Sequence, residues 1–314
     1  MIRPPRRALK LRESIPFGIE RKMISSITSK SWREAPHVSF IYEADVTAFL
    51  EEFGKLKAAR MQAAGRPMSL NTLLLRVVVE AVRAAPRLNA HIEFHRHRVS
   101  GRLNVIEDIN ISSPMILPDG RMMTLNLRDF GNKSLDEMTA SIEDLQHRQA
   151  AANLDLALMD VSLRDTWEQV FRGRILTALG RLWGAYIGRD RLRPFSRAEK
   201  RAHQREAPGD RLGPEFLEEG TITVSNMGAM TRGISGCVGL LELVPPQVFA
   251  LGIAALQEKP LAVAAPGGGS RVEVRQVLPF CLVFDHRALD FGDVVPFIRR
   301  LDEVFGKPEI IQGW

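Results

Sequence analysis

Residues Ser69–Ala85 carry apolar side chains around most of a helical circumference: Leu73, Leu74, Leu75, Val77, Val78, Val79 and Val82. Such a helix is mostly buried, so the rest of the chain must enclose it. Apolar strand segments alternate with helical ones on both sides. His37–Ala44, Arg102–Leu117, Met122–Leu127, Thr221–Ser225, Gln247–Ala254 and Leu278–Phe284 read as strands, and Leu261–Val277 as a hairpin around Pro266-Gly267-Gly268-Gly269. Arg21–Arg33, Asp45 to about Ala64 (stopped at Gly65), Ser134–Gln149 and Phe291 or Asp293 through Phe305 read as helices. Asp45 or Thr47 is an expected N-cap, and Ser134-x-x-Glu137 an expected capping box. The alternation predicts an α/β (α+β) protein with one dominant sheet.

The chain of 314 residues is long enough for a sizeable core, with 45% hydrophobic and 25% charged residues. Cys237 and Cys281 lack metal-ligand spacing and are expected to be reduced and buried, as in a cytoplasmic protein. The basic N-terminus has no apolar run behind it, so no secretory signal is expected. Between Arg164 and Arg205 there are 11 Lys/Arg and 4 Asp/Glu, a surplus of seven. The net charge of +6 is therefore a property of that segment, which argues against nucleic acid as a partner.

The motif most able to carry chemistry closes the apolar run Val277–Phe284: Asp285-His286-Arg287-Ala288-Leu289-Asp290-Phe291-Gly292. Histidine titrates near neutrality and can take a proton from a thiol or hydroxyl, and Asp290 lies four residues on, within reach. A lone His-x-x-x-Asp is usually structural, and Asp290 is equally placed to cap the closing helix. His91, His95 and His97 form a second cluster, but Arg96 and Arg98 oppose a cation there, so no metal is expected.

His286-Arg287-x-x-Asp290 and Gly220-Thr221-Ile222-Thr223-Val224-Ser225-Asn226-Met227-Gly228 resemble the two signatures of the dihydrolipoamide acyltransferases, the catalytic cores of 2-oxo acid dehydrogenase complexes. Ala35-Pro36-His37-Val38, Asp45-Val46-Thr47, Pro86-x-Leu88-Asn89-Ala90, Pro118-Asp119-Gly120, Lys133-Ser134-Leu135, Pro245-Pro246-Gln247 and Leu278-Pro279 match in the same order. The resemblance implies a chloramphenicol acetyltransferase-like two-layer sandwich, with a mixed central sheet flanked by helices. It implies an acyl group moving between coenzyme A (or acyl-CoA) and a dihydrolipoyl or other acceptor. His286 would be the general base and Ser225 the oxyanion donor, with Asp290 beside them and Asn226, Gly228 and Phe291 at substrate-binding positions. It also implies a homotrimer, with higher assembly open, whose sites draw the histidine and the hydroxyl from different subunits.

Residues 1–20 then read as an N-terminal arm and 21–314 as one catalytic domain. The arrangement departs from the family at four places. Phe291 follows Asp290 where the family has glycine, which should alter the turn. Phe53 stands where a partner arginine for Asp290 is expected, which would leave a buried carboxylate alone. Arg121–Leu127 differs from the family's channel lining. Finally, an insertion of about residues 150–214 carries a basic amphipathic helix, Trp167–Ile187, and a loop, Arg189–Gly213. That helix suits packing on the domain or a subunit contact, or an anionic membrane surface. A lipoyl domain and a subunit-binding domain are not expected in this sequence, so either a lipoyl group is supplied in trans, on a carrier protein or other 2-oxo acid dehydrogenase components, or the acceptor is something else. The alternative is a catalytically weak relative that serves as an oligomeric scaffold.

Overall fold

The computed structural model describes residue 10 and residues 12–64, 68–116, 120–151, 153–171, 173, 175–187, 191–205, 212–228 and 236–314. Half of the expected arm, the helix stop at Gly65, the turn at Pro118-Asp119 and the arginines at 172, 174 and 189 lie outside these residues.

The helices are α1 Ile19–Glu34, α2 Thr47–Ala64, α3 Leu70–Ala84, α4 Leu135–Ala151, α5 Leu154–Phe171, α6 Ile175–Tyr186, α7 Arg197–Arg205, α8 Pro214–Leu217 and α9 Phe291–Gly306. The strands are β1 His37–Asp45, β2 Ala90–His95, β3 Ser100–Val105, β4 Ile111–Ile116, β5 Met122–Leu127, β6 Ile222–Asn226, β7 Phe249–Ile253, β8 Gln257–Ala264 and β9 Ser270–Asp285. Seven strands form one sheet in the order β1-β9-β7-β6-β4-β5, with β8 paired to β9 beyond it. β4–β6 and β6–β7 are parallel and the other pairs antiparallel, so the sheet is mixed.

β9 organises the core. Successive residues of a strand face opposite sides. Phe280, Leu282 and Phe284 enter the main core with α3 and α9, while Cys281 and Val283 pack on the other face with Ala35, Ala250 and Leu243. α3 is buried along most of its length, capped by the Ser69 hydroxyl accepting from Thr72 N–H at 3.1 Å. Helices on the sheet make the expected two-layer architecture.

Several local expectations hold. Asp45 accepts from the backbone N–H and hydroxyl of Thr47 at 3.0 and 2.7 Å, and Ser134 and Glu137 form the capping box. The C-terminal segment Pro308–Gly313 folds back on its own chain, burying Ile311 and placing the Trp314 carbonyl 3.0 Å from Arg60.

Others change. The segment Leu278–Phe284 is not a separate strand but the end of β9, 16 residues long with Pro279 inside it. β2 was not anticipated. Its outer residues are His, Glu and Phe on a two-stranded ribbon, so no clean alternation marks it. The expected helix Trp167–Ile187 is divided at Gly173, whose φ of 74° no continuing helix accommodates, into the end of α5 and all of α6. The expected loop Arg189–Gly213 contains α7, started by a Ser196/Glu199 capping box. Cys281 is buried but Cys237 is exposed, and both are free thiols.

Candidate active site

His286 is the first residue past β9. Its backbone N–H donates to the Pro36 carbonyl at 3.0 Å, which fixes where the chain leaves the sheet. Two residues flanking it lock the turn. Asp285 is 1% exposed, and its carboxylate accepts from the Arg287 backbone N–H at 2.9 Å and from the guanidinium Nε and Nη2 at 3.0 and 2.5 Å. Arg287 in turn lies over the Phe94 ring of β2. A carboxylate this deep is tolerated because it is chelated bidentately.

The imidazole itself is half-exposed. Nδ1 lies 3.0 Å from the Leu289 carbonyl, which can only accept, so Nδ1 carries the hydrogen in this bond. In the neutral ring, Nε2 is then the nitrogen with the lone pair. Asp290 Oδ1 stands 3.5 Å from the same Nδ1. Asp290 is the N-cap of α9, and its backbone N–H donates to Asp293 at 2.9 Å.

Two expectations about this turn are corrected. Asp290 is 85% exposed, so it is not a buried carboxylate in want of an arginine; Phe53 packs on the main core instead. Phe291 needs no left-handed backbone, because it is the first residue of α9, and Asp290 before it is extended with φ −110°. The Phe291 ring meets Phe40 of β1 edge-on at 5.1 Å, an apolar rim on the histidine side.

Ser225 lies on β6, opposite Gly252 of β7. Asn226 donates from its amide to Asn71 at 2.8 Å and accepts from the Gly228 N–H at 3.1 Å. A side chain on Gly228 would put its Cβ 2.7 Å from the Ala254 carbonyl, so the strand end requires glycine there. Ser225, Asn226 and Gly228 are thus one unit.

His286 and Ser225 are not brought together within the chain. Ser225 pairs with Gly252, and Gly252 with Cys281. His286 is five residues further along, about 17 Å down the strand direction, with two strand spacings of about 4.8 Å each across.

Comparison with known proteins bears on what such a chain is. A family model, the 2-oxoacid dehydrogenases acyltransferase (catalytic domain), matches residues 10–161 and 192–312. The chain belongs to this acyltransferase family. A curated relative, the mouse mitochondrial dihydrolipoyllysine-residue succinyltransferase component of the 2-oxoglutarate dehydrogenase complex, is 31% identical over 106 residues, 34% of this chain and 21% of that protein. The dihydrolipoyllysine-residue acetyltransferase component of the Corynebacterium glutamicum pyruvate dehydrogenase complex is 22% identical over 284 residues, 89% of this chain and 32% of that one. The chain thus spans about a fifth to a third of these relatives' lengths. Among solved structures, the Azotobacter vinelandii dihydrolipoamide acetyltransferase superposes with a TM-score of 0.63 at 19% identity, covering 98% of this chain and 99% of that one. This likeness establishes the acyltransferase fold.

Within that fold, three supports escaped sequence reasoning: the Asp285–Arg287 chelate, Asn71 beneath Asn226, and Gln247. Gln247 is buried and accepts from the Thr223 hydroxyl at 2.6 Å while donating to the Gly220 carbonyl at 2.8 Å, which clamps the entry of the Ser225 strand. Its place after Pro245-Pro246 was the available signal. Among the described residues no group of three or more His, Cys, Asp or Glu could hold a metal.

Proposed function

We propose that this chain transfers an acyl group between the thiol of coenzyme A and a second thiol, a dihydrolipoyl group carried on a separate domain. The observation that carries the reading is the setting of His286: its Nδ1 faces the Leu289 carbonyl on a half-exposed side chain, which leaves Nε2 to serve as the base. Nε2 takes the thiol proton, the thiolate attacks the thioester carbonyl, and a tetrahedral oxyanion forms. The Ser225 hydroxyl donates to that oxygen. Collapse expels the other thiolate, which receives the proton back from His286. Asp290 steadies the imidazolium that exists between the two transfers.

Because about 17 Å of β-strand separates His286 from Ser225 in one chain, the site is completed by a second copy, and a homotrimer with cyclic contacts supplies three such sites. Azotobacter vinelandii dihydrolipoamide acetyltransferase, whose fold this chain shares, has been studied for the roles of a serine, a histidine and an asparagine in its mechanism. The histidine and asparagine there are four positions apart, the spacing of His286 and Asp290. A related pyruvate dehydrogenase core is cubic, so assembly beyond the trimer is part of the proposal. The alternative of a silent scaffold is weakened by the exposed Asp290 and the helical Phe291, which leave the histidine turn intact.

The test is thiol-to-thiol acyl transfer by the purified protein. We expect His286→Ala to lose about 1000-fold in kcat and Ser225→Ala about 100- to 1000-fold, with melting temperatures unchanged. Full activity in His286→Ala, or no thioester turnover by the wild type with any acyl-CoA and dihydrolipoamide, would remove the reading.

A further inference from the structure

α6 shows the wrong face to water for an ordinary surface helix. Ile175, Leu176, Leu179, Leu182, Trp183 and Tyr186 recur at intervals of three and four residues, which places them on one side. All six are between 37% and 86% exposed, whereas Ala178 is 1% exposed. The helix therefore rests on the protein by a small residue and turns its bulky apolar side chains outward. It is held in that orientation by packing on α5 and by Lys22 of α1, which donates to the Gly184 carbonyl at 2.7 Å. Trp167 and Phe171, in the last turns of α5, the helix that α6 packs on, are exposed as well. The patch lies in residues 162–191, between the two segments that match the family model.

We infer that this face docks on an anionic lipid bilayer, the α6 helix lying in the headgroup plane. Two observations choose lipid over a second copy of the chain. The surrounding segment 164–205 carries a surplus of seven positive charges. A two-fold, face-to-face contact between copies would set those charges against themselves, while an anionic headgroup layer neutralises them. The exposed aromatic residues Trp167, Trp183 and Tyr186 have an apolar body and a polar tip, the chemistry that settles at a membrane–water boundary. No helix among the described residues is long and apolar enough to cross a membrane, so the contact is peripheral. The inference does not depend on the acyl-transfer reading.

The test is co-sedimentation of the full chain with vesicles of phosphatidylglycerol and phosphatidylcholine in equal parts, against phosphatidylcholine alone, at about 0.1 M salt. The wild type should pellet with the anionic vesicles and little with the neutral ones, and its tryptophan emission should shift to the blue. Leu176→Glu/Leu179→Glu replaces two exposed side chains, so the fold should survive. Its apparent affinity for anionic vesicles should fall at least about 100-fold, with thiol-to-thiol acyl transfer and melting temperature as in the wild type. Three results would overturn the inference: a wild type that ignores anionic vesicles, a double variant that binds them equally well, or a double variant whose only change is a smaller mass by light scattering. The last would assign the face to a second copy.

Discussion

His286 is held by its own turn and by one distant tie, to the residue that precedes β1. Its N–H is tied to Pro36, its Nδ1 to Leu289, and the residues on either side clasp each other through the Asp285–Arg287 chelate. Replacing Asp285 by Ala should therefore act on His286, the proposed base, indirectly. It leaves the Arg287 guanidinium, 20% exposed, without its counter-ion. A loss of about 3 kcal/mol of stability on denaturant titration is expected, together with a fall in kcat as the turn loosens. An unchanged kcat would mean that the turn keeps its shape without the chelate. The two thiols should also separate by chemistry. Burial raises the Cys281 thiol from 9.0 to about 11, whereas Cys237 is exposed. Only the thiolate alkylates, so at pH 8 iodoacetamide should modify Cys237 in the native protein and reach Cys281 only after unfolding. Mass spectrometry of the labelled chain reads both.

At the scale of elements, α3 and β9 carry the core. Leu75→Ala on α3, where the side chain is 1% exposed, should cost about 2–5 kcal/mol in chemical denaturation. The Gly228 close approach makes a second prediction: Gly228→Ala should disturb the Ser225–Asn226 strand end and lower acyl transfer while leaving α3 and most of the melting transition in place. These two elements also show what was legible beforehand. α3 was plain because its apolar pattern is long and its Ser69 cap lies at the start. β9 was only half-seen, because its first half is an exposed hairpin arm with charged residues and its second half is buried, so composition changes where structure does not. β2 was missed because polar side chains dominate its outer end. The α5–α6 break was missed because apolar periodicity continues across it and only the backbone of Gly173 records the turn. At the site, His286 and Ser225 were readable as motif residues. Asn71 and the Asp285–Arg287 chelate were not assigned roles, because their partners are set by packing and turn geometry rather than spacing.

At the scale of the whole molecule, the gap between His286 and Ser225 is the feature with the widest reach. It has a consequence in genetics as much as in geometry. On the trimer we propose, a chain lacking the histidine and a chain lacking the serine should each be inert alone, yet each would bring what the other lacks. Co-refolded in equal parts, three-quarters of randomly assembled trimers would be mixed, and each mixed trimer would have one subunit boundary where an intact His286 faces an intact Ser225. About one quarter of the wild-type number of sites should therefore return from two dead proteins.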